Sequence, residues 1–177
     1  MSISSRASSR TVRLARNAAM LSLAMIFSFV EHLLPLPLPG IKLGLANLVI
    51  TALFYLASPL DAALVSFSRI LLSALLFGSP VSFFFSLCGG GLAYLAMALC
   101  RPFHQRFFSF VGISVLSATG HHLGQIFAAV LLYGSGAILT YLPWLLLSGI
   151  VTGTLTGLLL NWLAPRWKKL QKRGLKE

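Results

Sequence analysis

Residues 35–47 read PLPLPGIKLGLAN and separate two apolar runs of the chain. The three alternating prolines cannot continue a helix, because proline lacks an N–H and restricts the residue before it. Gly40 then releases the chain, and Lys42 opens the next apolar run. A rigid turn between two hydrophobic segments is typical of an external loop, so this stretch predicts the mouth of a binding pocket.

The composition around this turn indicates an integral membrane protein. Of 177 residues, 57% are hydrophobic and only 10% are charged. A soluble domain of this size carries much more surface charge. The sequence therefore predicts a polytopic protein in the cell membrane.

The net charge of +11 invites a nucleic-acid interpretation, but the basic residues flank the apolar runs. Such flanking clusters are topology signals that also contact anionic lipid head groups, so no nucleic-acid partner is expected. The three clusters are Arg6, Arg10, Arg13 and Arg16; Arg101 and Arg106; and Arg166, Lys168, Lys169, Lys172, Arg173 and Lys176.

A membrane-spanning helix needs about 20 apolar residues, or fewer where flanking groups reach the interface. The chain contains six such runs, and we predict an all-α fold of six transmembrane helices. The predicted spans are residues 14–34, 41–57, 59–77, 81–100, 108–133 and 143–163.

Six spans place both termini and all three basic clusters on one side, with Lys42 on the other. By the positive-inside rule both termini are then cytoplasmic. The chain divides into a basic tail (1–12), a membrane domain (13–164) and a second basic tail (165–177). The only candidates for disorder are the two ends, residues 1–11 and 168–177.

Arg69 lies near the middle of the third predicted span. A buried arginine at this depth costs several kcal/mol unless it is paired or reaches water. Two interpretations remain open: an ion pair with Glu31 that fixes the packing of spans one and three, or direct binding of an anionic ligand group.

Polar residues also interrupt the fifth span. His121 and Gln125 are four residues apart and share one helix face, whereas His122 points about a third of a turn away. Two adjacent histidines cannot both face one metal ion, and no carboxylate is near in sequence, so no metal is expected. Lys42 either meets an anionic ligand group or extends to a lipid phosphate.

Catalysis by the chain alone is not expected. It has three acidic residues in all, and it contains no Asp-rich cluster, Walker A motif or hydrolase motif. A prenyl-diphosphate synthase needs several carboxylates to hold magnesium. No cofactor is predicted.

Two stretches carry a resemblance to a known family: PGIKLGLANLVITALFYL at 39–56 and SPLDAALVSFSRILLSALLFG at 58–78. They resemble the Gx transporter family, often labelled heptaprenyl diphosphate synthase component I. That family is similar to the S components of energy-coupling factor transporters. The resemblance covers residues 13–163.

The resemblance implies a six-helix S-component-like bundle that captures a small molecule from the outer face. It also implies docking on a membrane coupling subunit, with its ATPases, through Ala15 and Ala19 of span one. The alternative is a non-catalytic membrane component of polyprenyl diphosphate synthesis, in isoprenoid or quinone metabolism. The candidate substrate-binding residues are Glu31, Lys42, Asn47, Arg69, His121 and Gln125.

Overall fold

The computed structural model describes residues 3–34, 44–104, 108–134 and 136–174. These residues form six α-helices and no β-strand, which confirms the all-α prediction. The helices are α1 (Ile3–Leu33), α2 (Leu45–Leu56), α3 (Pro59–Leu76), α4 (Pro80–Cys100), α5 (Phe110–Tyr133) and α6 (Leu142–Gly174). Short 3₁₀ helices at Arg101–Phe103 and Gly136–Tyr141 precede α5 and α6.

Local sequence signals set several helix starts. Pro59 and Pro80 occupy the first position of α3 and α4, where the missing N–H costs nothing. The Ser79 hydroxyl accepts a hydrogen bond from the backbone N–H of Ser82 at 3.1 Å, and Ser109 caps α5 in the same way. These boundaries agree with the predicted breaks to within two or three residues.

The second helix differs most from its predicted span. It has 12 residues, or about 18 Å of helix, which is shorter than the apolar core of a bilayer. Seven of its residues are buried, because its neighbours enclose it. The other five helices are long and apolar enough to cross a membrane by length and composition. The predicted start at residue 41 lies outside the described residues.

Both terminal helices are longer than predicted. The first has 31 residues and begins at Ile3, and the last has 33 residues and ends at Gly174. The expectation of disorder at the two ends is therefore wrong for the residues that the structure describes. In the C-terminal extension, arginine, lysine, leucine and glutamine are good helix formers, so α6 continues past its apolar run.

Contacts between helix ends show which ends of the helices lie side by side in the bundle. Arg13, in the N-terminal half of α1, forms an ion pair with Asp61 at the start of α3. The Tyr94 hydroxyl, near the end of α4, donates to the carbonyl of Pro59 at 3.1 Å. Gly157, in the second half of α6, packs on Val111 at the start of α5. The basic ends of α1, α4 and α6 therefore lie at one end of the bundle, hereafter the basic end.

Candidate functional site

Glu31 lies near the end of α1, away from the basic end, and holds the start of α2. Its Oε1 atom accepts a hydrogen bond from the backbone N–H of Leu45 at 2.5 Å. The preceding Gly44 has φ 87°, a left-handed conformation that favours glycine. A buried carboxylate thus satisfies one of the free N–H groups at the helix start.

His121 packs against the same helix start. A methyl group added to Gly44 would lie 3.5 Å from Cδ2 of His121, and one added to Gly89 would lie 2.9 Å from Nδ1. The imidazole is therefore held between the start of α2 and the middle of α4. Its side chain is buried.

Asn47 connects α2 to the following half of the chain. Its Nδ2 group donates to the Ser117 hydroxyl on α5 at 3.3 Å, and that hydroxyl donates to the carbonyl of Ala93 on α4 at 3.4 Å. Three helices thus share one short chain of hydrogen bonds. Ser117 is buried, and nothing in the sequence distinguished it from other serines in apolar helices.

Arg69 is buried between α3 and α1. Its Nη1 atom donates to the Ser28 hydroxyl at 3.2 Å, and Ser28 precedes Glu31 by about one helical turn. The two ion pairs between described residues both involve Asp61, so a direct Arg69–Glu31 ion pair is not found. Glu31 instead acts on Arg69 as a longer-range electrostatic partner.

Gln125 faces a different neighbour. Its Oε1 atom lies 3.3 Å from Nδ1 of His122, and Nε2 of His122 lies 3.3 Å from the Ser148 hydroxyl on α6. Gln125 and His122 are fully buried. Sequence reasoning gave His122 no role, because spacing along one helix does not reveal which neighbouring helix a side chain meets.

The structure therefore brings three predicted site residues together at the start of α2: Glu31, Asn47 and His121. Arg69 approaches this group through Ser28, and Gln125 faces α6. We call the first three the α2-start cluster. Lys42 lies outside the described residues.

Comparison with protein families agrees with the resemblance seen in the sequence. The model described as "Heptaprenyl diphosphate synthase component I" matches residues 20–163. The chain belongs to this family. No curated protein and no solved structure matches it.

The region shared with the heptaprenyl diphosphate synthase component I family includes the whole α2-start cluster and Arg69. Ala15 and Ala19, the predicted docking residues, precede it. Both lie on the exposed surface of α1. Within the described ranges, no group of three or more His, Cys, Asp or Glu side chains could hold a metal ion.

A second polar cluster lies at the basic end, partly outside the family region. Asp61 is buried, and its carboxylate contacts Arg13 at 2.7 Å, Arg16 at 2.5 Å and the Asn17 amide at 2.8 Å. Asp61 also lies in the first turn of α3, where a carboxylate suits the positive end of the helix. The structure shows in addition that it ties α3 to α1.

Proposed function

We propose that this protein is a membrane-embedded subunit that binds a small molecule at the end of the bundle opposite the basic end. The observation that carries the proposal is the α2-start cluster, where polar side chains from α1, α2 and α5 converge inside an apolar bundle. Polar and ionisable groups are costly in a membrane interior and commonly mark substrate sites.

In the membrane, α2 crosses as a short helix enclosed by its neighbours, and the other five helices span the bilayer. A short helix is tolerated because protein, not lipid, surrounds it. The arginines of the basic end would face the cytoplasm by the positive-inside rule. Both termini would then be cytoplasmic, and the α2-start cluster would face outward.

The polar residues have complementary roles in this proposal. Asn47 and His121 would hydrogen-bond the ligand, with Gln125 further along the same helix. Lys42 would meet an anionic group from the connection between α1 and α2. The exposed Ala15 and Ala19 would dock on a coupling subunit driven by ATPases, as in S components, because small side chains let helices approach closely.

The family description supports a second candidate, a membrane component that associates with a soluble polyprenyl diphosphate synthase. Gentle co-purification distinguishes the two functions. Subunits with Walker A motifs, together with a membrane coupling protein, support the uptake function. A soluble synthase with Asp-rich motifs supports the second.

Mass spectrometry of small molecules retained by the detergent-purified protein tests the binding function directly. A single compound retained at near-stoichiometric ratio is expected, and Asn47→Ala, His121→Ala or Lys42→Gln should reduce its retention. Thr154→Ala is the matched control, because the Thr154 hydroxyl donates to its own helix at 2.7 Å. Equal retention in all these variants would remove the site assignment.

A further inference from the structure

Arg69 has fewer partners than a buried guanidinium can use. The residue is 3% exposed, and Nη1 donates to Ser28. Among the described residues, Nε has no hydrogen-bond partner. A guanidinium carries five N–H donors in a planar fork, and leaving them unmatched in an apolar interior is unfavourable.

Asp61 shows how the same pair of helices satisfies a buried charge. It precedes Arg69 by eight positions, so both side chains lie on the face of α3 that meets α1. At Asp61, α1 supplies two guanidinium groups and one amide. At Arg69, the contact with α1 is a single serine hydroxyl.

Glu31 does not accept a hydrogen bond from the Arg69 guanidinium. Its Oε1 atom is engaged by the backbone N–H of Leu45, and its effect on Arg69 is electrostatic without an ion pair. It lowers the cost of burying the positive charge and leaves the donors of Arg69 available. A second acceptor is therefore missing from the chain's own described residues.

We infer that Arg69 is the counter-ion for a carboxylate or phosphate group of the bound molecule. This inference rests on the proposed binding function, and it gives the anionic group of the ligand a buried partner inside the bundle. The planar guanidinium matches the two oxygens of such a group, and the hydrogen bonds are strong because both partners are charged. Ser28 orients the fork from the side of α1.

The anion can come from a soluble compound or from a lipid head group, and the test separates the sources. Purified protein is melted in nonionic detergent with increasing acetate, inorganic phosphate or phosphatidylglycerol, at ionic strength held constant with chloride. We expect a saturable rise in Tm, because a ligand that binds the folded state stabilises it.

Two variants assign the effect to Arg69. Arg69→Gln should raise the apparent Kd by about tenfold or more, the loss expected for one charge-assisted hydrogen bond. Arg101→Gln is the control, since Arg101 is exposed at the basic end. If Arg69→Gln does not fold, Ser28→Ala tests the anion site instead, because it removes the hydrogen-bond partner of Nη1 and keeps the positive charge of Arg69. Without anion, the Tm of Ser28→Ala should be lower than that of the unchanged protein. Added anion should restore it.

An Arg69-dependent shift with acetate or phosphate identifies a soluble anion. A shift with phosphatidylglycerol alone identifies a lipid head group, which supports the anion site and argues against uptake of a soluble anion there. No shift in any arm, or the same shift in Arg69→Gln, overturns the inference. A neutral compound retained in mass spectrometry would leave the binding function intact while the anion site fails.

Discussion

Helices α4, α5 and α6 are joined by close backbone contacts, whereas α1, α2 and α3 are joined in part by polar and charged side chains. In the second half of the chain, a methyl group on Gly124 would overlap the carbonyl of Cys88, and one on Gly157 would overlap the Cα of Val111. Small residues at such positions let helices approach until their backbones touch.

The first half uses a different set of contacts. Asp61 joins α1 to α3 through two arginines, Arg69 joins them again through Ser28, and Glu31 joins α1 to α2. Such contacts are directional and can exchange partners, including a ligand, whereas glycine contacts cannot. We interpret α4–α6 as a fixed support. The proposed ligand contacts lie both on the first half and on α5, which carries His121 and Gln125.

The largest effect should come from filling a glycine contact in the second half. Gly124→Ala should lower the free energy of unfolding by about 3 kcal/mol, because the new methyl group forces α4 away from α5. Gly91→Ala is the matched control on the same pair of helices. A methyl group there meets nothing within 4 Å, so the change should be neutral or slightly stabilising. Equal unfolding energies for both variants, measured in detergent, would contradict the close packing.

A smaller loss is expected at the basic end of the first half. Asp61→Asn should cost about 2 kcal/mol, below the usual loss for a fully buried ion pair, because Arg13 is half exposed. Chemical denaturation in detergent measures this loss, and Arg16→Gln in the same background gives the coupling energy. Arg166→Gln is the control, since that guanidinium contacts Trp162 of its own helix. Additive effects of Asp61→Asn and Arg16→Gln would mean that the ion pair does not stabilise the fold.

Sequence reasoning identified the helices well because their signals are local. Ser58-Pro59 and Gly78-Ser79-Pro80 separate apolar runs in the sequence, and the structure separates its helices at the same places. Glycines at four-residue spacing on α5 and α6 are typical of close helix packing, and they lie at such contacts in the structure. The helical ends were missed because a low apolar content was interpreted as disorder, although the residues of the C-terminal end favour helix.

The polar contacts could not be predicted in the same way. Arg13 and Asp61 are 48 residues apart in the chain, and no spacing rule connects them. Ser28 and Ser117 are ordinary serines in apolar helices until packing places them beside Arg69 and Asn47. Its place in the middle of an apolar run identified Arg69 as a buried charge. Its partner could not be predicted, because it depends on which face of α1 meets α3.

The second half also contains polar connections, and the one formed by Gln125, His122 and Ser148 tests how general the comparison is. Gln125→Leu should cost about 1–2 kcal/mol, because it leaves Nδ1 of His122 buried without this acceptor. Ser148→Ala should cost less, since its hydroxyl also donates to the carbonyl of Leu145 at 2.9 Å. Thermal melts of both variants measure the difference. A larger loss for Ser148→Ala would show that the hydrogen bond between α5 and α6, not the one within α5, is the stabilising contact.

The smallest effect is expected where the two halves meet, at the hydrogen bond from Asn47 to Ser117. A double-mutant cycle of Asn47→Ala and Ser117→Ala should give a coupling energy of about 0.6 kcal/mol, the usual size for such bonds between membrane helices. The length of 3.3 Å also indicates a weak bond. Weak coupling here would let the start of α2 shift against α5 when a ligand binds near the α2-start cluster. A coupling energy above about 2 kcal/mol would instead mean that the halves are firmly joined at this point, and the fixed-support interpretation would then have to include α2.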